Sequence, residues 1–326
     1  MNDMTQRFKQ QAGIEVPLIC GPMYPCSNPE LVAAVSDAGG IGIVQPISLT
    51  YVYGHEYVEG LRLIKQLTSK PFGVNALIEK SSKKYHQRMV QWIDIALEEG
   101  VRFFITSMGK PDWVVERVHA VGGVVYHDAT ERQWADKALE GGVDGLIAVN
   151  NRAGGHTGRR SKEELFELFG DYNVPVICAG GIGDERDFAD ALQIGYAGAQ
   201  LGTRFIATEE CQTNQPYKQA IVDATENNIV LTERVSGSPV SVIDTPYIKN
   251  LGYRVGPVTG WLLRHSKLKY LVRTLYMLQS FWKLKSAVLD TEGKKQFWQA
   301  GKSVENIRSI ERAGDIVRRF SATIQN

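Results

Sequence analysis

The stretch Gly145-Leu146-Ile147-Ala148-Val149-Asn150-Asn151-Arg152-Ala153-Gly154-Gly155-His156-Thr157-Gly158 runs from five apolar residues into a glycine-rich turn bearing one imidazole. The apolar run reads as a strand, and the turn begins where the strand ends. Glycines let backbone approach a flat or phosphorylated ligand closely, and histidine gains and loses a proton near neutral pH. The loop therefore reads as a cofactor seat beside a base.

Outward from this stretch the same unit recurs. Short apolar runs lie at Pro17 to Gly21, Ile41 to Val44, Phe72 to Leu77, Val101 to Thr106, Val124 to Tyr126, Gly145 to Val149, Val174 to Cys178 and Ala199 to Leu201. Amphipathic stretches with helical spacing separate them, among them Pro29 to Ala38, Tyr85 to Glu98, Trp113 to Ala120, Glu131 to Glu140 and Asp184 to Gln193. Most of these close on a glycine, the residue that ends helices. Eight strand-helix units in this order predict a (β/α)8 TIM barrel, a mixed α/β fold of roughly 250 residues. A doubly wound open sheet is the other arrangement with this alternation. Gly21-Pro22-Met23 after the first strand lacks the GxGxxG spacing that such a sheet uses for dinucleotides.

In a barrel the functional groups gather at the C-terminal ends of the strands. Here those ends carry Gly21-Pro22-Met23, Gln45-Pro46, Asn75, Ser107-Met108-Gly109, His127-Asp128, the His156 loop, Ala179-Gly180-Gly181 and Gly202-Thr203-Arg204. The last two turns follow strands seven and eight, where this fold commonly holds a phosphate on backbone N–H groups. A phosphorylated ligand is expected there.

Composition agrees with a folded globular chain and excludes several other classes. The chain has 326 residues, 43% hydrophobic and 22% charged, with net charge +1. That describes a soluble globular protein of one large or two smaller domains. Met1 to Gln11 lacks the apolar core of a secretory signal, and no apolar span is long enough to cross a bilayer, so the cytoplasm is the expected location. Cys20, Cys26, Cys178 and Cys211 are scattered, with no CxxC pair and no zinc spacing, which argues against a disulfide framework or a metal site. Cys20 and Cys178 lie in apolar runs and read as buried thiols, whereas Cys26 beside Pro25 reads as an exposed one. No nucleic-acid motif is present.

Taken together, Gly21-Pro22-Met23, Phe72-Gly73-Val74-Asn75, Ala153-Gly154-Gly155-His156-Thr157-Gly158, Ala179-Gly180-Gly181-Ile182 and Gln200-Leu201-Gly202-Thr203-Arg204-Phe205 resemble the nitronate monooxygenase family. The late segment Phe297-Trp298-Gln299-Ala300-Gly301-Lys302-Ser303 is similar to that family's aromatic-x-x-Gly-x-Ser stretch. The wider superfamily includes FMN-dependent enoyl-acyl-carrier-protein reductases and NADH:quinone reductases. The resemblance implies an FMN barrel with a substrate-covering region. By matching motif, Gly21, Pro22 and Met23 would pass the flavin ring, Asn75 would bond its polar edge, and Ala153, Gly154 and Gly155 would pack near it. Ala179, Gly180, Gly181, Gln200, Gly202 and Thr203 complete the cofactor set, with Gly180, Gly181, Gly202 and Thr203 at the phosphate. His127 stands where some relatives have a lysine near the flavin.

The resemblance makes His156 the catalytic base. A nitroalkane has an acidic α-carbon, and a neutral imidazole can take that proton. The implied reaction converts alkyl nitronates or nitroalkanes, with O2, to carbonyl compounds and nitrite. The alternative is an NAD(P)H-dependent flavin reductase of enoyl thioesters or quinones. Asn150-Asn151-Arg152 departs from the family, which often has an acidic residue just before Ala-Gly-Gly-His. Arg152 either attracts an anionic substrate or pairs with an acidic residue on a neighbouring loop, and the pairing is the expected role.

After Phe205 the barrel rhythm breaks. From Thr245 to Leu289 there is no Asp or Glu, while Lys249, Arg254, Arg264, Lys267, Lys269, Arg273, Lys283 and Lys285 accumulate among aromatic residues. Apolar residues at helical spacing there, Leu262 to Leu278, predict a helical, basic and aromatic cap over the barrel mouth. Its charge leaves open an acyl carrier protein, a phosphate-bearing cosubstrate or an anionic membrane surface as partner. The expected organisation is an FMN-binding barrel over 1–208, a cap over 209–295 and a segment over 296–326 returning to the barrel. The small-molecule substrate and O2 are the expected partners, with a homodimer left open.

Overall fold

Alternation along the strands sorts the apolar residues onto two surfaces. Ile19, Ile43, Phe103, Ile105, Tyr126, Ile147 and Ile177 form one buried cluster, and Leu18, Val74, Phe104, Val125, Leu146 and Cys178 belong to another. Successive side chains of a strand point to opposite faces, so two clusters of alternate residues mean a sheet covered on both sides. In the computed structural model, which describes residues 3–78, 82–234, 237–256, 279, 282–290 and 295–324, the first cluster fills a closed barrel. The second lies between the strands and the surrounding helices.

The barrel strands are β1 (Leu18–Cys20), β2 (Ile41–Val44), β3 (Gly73–Leu77), β4 (Phe103–Ser107), β5 (Val124–Ala129), β6 (Gly145–Val149), β8 (Val176–Ala179) and β9 (Gly198–Leu201). Each pairs in parallel with the next, and β9 closes on β1 with Ile19 opposite Gln200. All eight expected strands are present, and the expected barrel is the fold. The intervening β7 (Gly155–His156) arises from the glycine-rich loop and leaves the barrel altogether.

Local sequence explains where the helices start. Asn28 precedes α2 (Pro29–Asp37), whose first residue is a proline that needs no N–H partner. Ser161 opens α7 (Lys162–Phe169) with a capping box closed by Glu164, and Asp184 caps α8 (Glu185–Ile194) by accepting from the N–H groups of Arg186 and Asp187.

The polar N-terminal stretch forms α1 (Asp3–Ala12), which plugs the end of the barrel where the strands begin. Phe8 is fully buried there, its ring 5.5 Å from that of Tyr126 and 6.3 Å from that of Phe103. The Tyr126 hydroxyl donates to Gln11 Oε1 at 2.7 Å.

Beyond the barrel, β10 (Ile229–Thr232) and β11 (Val240–Ile243) form an antiparallel pair, and β11 also pairs with β7. The region expected to be a helical cap therefore contains a small sheet beside its helices, which include Gln215–Asp223 and Pro246–Leu251. Residues 282–289 are helical. The centre of the basic, aromatic segment, residues 257–278, lies outside the described residues.

The last described segment runs back over the barrel. Arg204, 1% exposed, donates to the carbonyl oxygens of Ala207 at 2.8 Å and Ser309 at 2.7 Å and faces Glu311 at 3.4 Å. The closing helix Ala313–Thr323 stacks Phe320 on Phe188 of α8 at 5.3 Å.

Candidate functional site

On five of the eight strands an inward residue at or just past the C-terminal end is polar, unlike the apolar layer beneath, whereas β6 and β8 end on Val149 and Ala179. Gln45, Asn75, Ser107, Asp128 and Gln200 follow the parity of Ile43, Ile105, Tyr126 and their neighbours, and all five line one cavity of about 710 Å³. Every expected site residue but one lies on that cavity wall. Gly21, Pro22 and Met23 come from the turn after β1, and Ala153, Gly154, Gly155 and His156 from the loop after β6. Ala179, Gly180 and Gly181 follow β8, and Gln200, Gly202 and Thr203 end β9.

The exception is His127. It sits on β5 with the opposite parity, 4% exposed, and its Nδ1 is 2.8 Å from Thr106 Oγ1 on the outer face of β4. Burial lowers its pKa to about 4, so the ring is neutral and belongs to the layer between strands and helices. The next residue, Asp128, turns inward instead.

The glycine loop is tightly tied. Asn150, fully buried, donates to the Gly180 carbonyl at 2.9 Å and accepts from Arg152 N–H at 2.8 Å. Thr157 Oγ1 donates to the Asn150 carbonyl at 2.7 Å. Gly155 and His156 pair with Ser241 and Val240 of β11, so the imidazole is carried on a short strand. The ring is exposed at the cavity, and partial desolvation there lowers its pKa and favours the neutral form.

Arg152 takes the expected pairing. Its Nη1 lies 2.7 Å from Glu226 Oε2, and the side chain borders both the main cavity and a smaller polar one of about 470 Å³ shared with Gly180, Gly181 and Lys302. All four cysteines are free and buried, Cys26 included; its thiol packs beside that of Cys211, which donates to the Cys26 carbonyl at 3.6 Å.

Three buried polar atoms on the wall have no partner among the described residues: Asn75 Oδ1, Asp128 Oδ1 and Gln200 Oε1. Buried polar atoms are rarely left unpaired, so these three fit a ligand with a complementary polar edge. On the opposite side Gly180 and Gly181 adopt φ of +112° and +78°, a turn only glycine enters easily. A side chain at Gly181 would also meet Arg152 at 2.9 Å. The residues present therefore fit a flat ring with a polar edge and a terminal phosphate, the outline of FMN.

The late segment supplies lining residues that were singled out only as a motif. Gln299 and Ser303 reach the cavity, Gly301 N–H donates to Thr203 Oγ1 at 2.9 Å, and Lys302 N–H donates to the Arg152 carbonyl at 2.9 Å. Its aromatic residue Trp298 stacks on Tyr217 at 5.6 Å.

The nitronate monooxygenase family profile matches residues 5–322. A Rhodococcus jostii protein named "(3aS,4S,5R,7aS)-5-hydroxy-7a-methyl-1-oxo-octahydro-1H-indene-4-carboxyl-CoA dehydrogenase" is 29% identical over 77% of this chain and 69% of its own length. A "Probable nitronate monooxygenase" of Staphylococcus saprophyticus is 28% identical over 76% of this chain and 81% of its own. Among solved structures, FabK from Thermotoga maritima superposes with TM-score 0.79 at 27% identity, covering 98% of this chain and 97% of the other. With the family profile spanning the barrel, the His156 loop and the returning C-terminal segment, the chain belongs to the nitronate monooxygenase family, a family of oxidoreductases.

Proposed function

We propose that this chain is an FMN-dependent oxidoreductase that converts alkyl nitronates or nitroalkanes, with O2, to carbonyl compounds and nitrite. The observation that carries this reading is the placement of a neutral, strand-mounted His156 on the same cavity wall as the unpaired amides and the glycine turns. Asn75 and Gln200 would hold the polar edge of the ring, and Gly180, Gly181, Gly202 and Thr203 would hold the phosphate. When bound, FMN supplies the electron transfer that no protein side chain here can perform.

The chain's own part is to orient the substrate and move its proton. A neutral imidazole accepts a proton from the acidic α-carbon of a nitroalkane, and the β7–β11 pairing fixes where that acceptor sits. The lowered pKa favours the neutral ring, the form that can accept a proton. The region beyond Phe205 covers the mouth through Tyr217, Ser238 and Leu284, and is read as the substrate-covering part.

The second reading, an NAD(P)H-dependent reductase of enoyl thioesters or quinones, is favoured by the similarity to the Rhodococcus CoA-thioester dehydrogenase and to FabK. Nitrite assays separate the two. Purified yellow protein given propyl nitronate and O2 without nicotinamide is expected to release nitrite; absence of nitrite, with NAD(P)H consumption that depends on an enoyl thioester or quinone, would replace the first reading by the second.

A further inference from the structure

Asp128 is a carboxyl that the roles above leave unused. It ends β5 with its side chain inside the barrel mouth, on the wall that also carries Asn75 and Gln200, and its Oδ1 is buried without a partner among the described residues. The inward residues of the flanking strands are Ser107 on β4 and Ile147 and Val149 on β6, none of them charged. His127 lies on the other face of β5. Among the described residues, the other ionisable groups on the cavity wall are Arg152, engaged with Glu226, together with His156, Cys26, Tyr24 and Tyr217.

An ionised carboxylate with a buried oxygen and no cation is costly, and the same group with a proton is not. Burial raises the Asp128 pKa to about 7, in keeping with that geometry. Asp128 and His156 thus depart from their usual behaviour in opposite senses, the carboxyl shifted toward its protonated form and the imidazole toward its neutral one. Pairs whose environments push them apart in this way divide donor and acceptor roles.

We propose that Asp128 is a proton-bearing carboxyl that donates a hydrogen bond to an acceptor atom of the molecule bound in the barrel mouth. The acceptor is an oxygen or nitrogen that gains negative charge in the reaction, on either the cofactor ring or the substrate's nitro or carbonyl group. No proton need leave Asp128, because a donated hydrogen bond suffices to stabilise that charge. The inference rests on the reading of this cavity as the ligand site and not on the identity of the substrate.

The test is the carboxylic-acid C=O band in the infrared spectrum of the purified yellow protein, titrated without substrate from about pH 6 to about pH 9. A band that shifts in D2O, is present at the acid end and is missing from Asp128→Asn is expected. Asp128→Ala should lose about 100-fold in kcat/KM, while Asp128→Asn, which keeps a donor of the same shape, should stay within about tenfold of the parent. A change in FMN affinity or visible spectrum in Asp128→Ala puts the acceptor on the ring; unchanged flavin with lowered kcat/KM puts it on the substrate. A carboxylate ionised throughout the range, or alanine and asparagine variants equal to the parent in flavin binding and turnover, would overturn the proposal. The asparagine variant and the parent titration decide the matter should the alanine variant not fold. A wrong substrate leaves the infrared result standing, so failure of the nitronate reading is seen separately.

Discussion

His156 would act as a base because of two neighbourhoods that are far apart in sequence. Val240 pairs with it across β7 and β11, and the cavity wall lowers its pKa. His156→Asn is expected to keep its flavin and to lose about 10²- to 10⁴-fold in turnover of a neutral nitroalkane. A preformed nitronate, which needs no deprotonation, should be affected far less. Equal turnover of the neutral nitroalkane by variant and parent would remove the base from this position. The sign with pH follows from the lowered pKa: protonation silences the base, so nitroalkane turnover should rise with pH through a value below the ordinary 6.5 of histidine. A rise centred above that value would contradict the assignment. At this scale the strand ends were legible, since glycines and a lone histidine at those positions have few other uses. Asp128 was overshadowed by His127, because residue type alone does not tell which of two neighbours on a strand points inward; the parity set by Tyr126 does.

Turns and short strands set where the proposed cofactor would sit. Gly180 and Gly181 are held by positive φ and by contact with Asn150, Ala153 and Arg152, so any side chain there strains the protein as well as the ligand. Gly202 is different: its φ is −110°, and among the described residues an added Cβ would meet only the Met23 side chain, at an ordinary 3.5 Å from Sδ and 3.7 Å from Cγ. Gly202→Val should therefore leave thermal stability nearly unchanged while weakening FMN binding by at least about tenfold, or about 1.4 kcal/mol. Flavin retained with parental affinity, measured by fluorescence on titration, would take the phosphate away from this turn. The barrel strands were readable from apolar runs because each pairs with near neighbours of the same kind. The strand β7 was not, since two residues carry no periodicity and their partner lies some way along the chain in β11. The segment after Phe205 reads as helical from its leucine spacing, yet β10 and β11 are short runs whose pairing is set by tertiary contact.

The two ends of the barrel have separate tasks. α1 closes the end where the strands begin, with Phe8 against Phe103 and Tyr126, and the polar cavity occupies the other. Phe8→Ala should cost about 3–5 kcal/mol of stability. Flavin affinity and KM should be unchanged, as expected for the stability face of this fold. A shift in KM without loss of stability would mean that the two ends are not independent. Whole-chain architecture was legible because a barrel is a repeated unit; the plug by α1 was not, since its residues are mostly polar and only Phe8, Ala12 and their neighbours mark the buried side.

The central claim, a flavin reduced by the nitro substrate itself with His156 as base, is tested most directly by anaerobic stopped-flow spectroscopy of the protein loaded with FMN. The protein is mixed in parallel with propyl nitronate and with NADH or NADPH. Rapid loss of the oxidised-flavin absorbance with the nitronate alone, followed by nitrite on admission of O2, is the predicted result. Bleaching by the nicotinamide alone, with the nitronate inert, would contradict the account and make the protein a reductase.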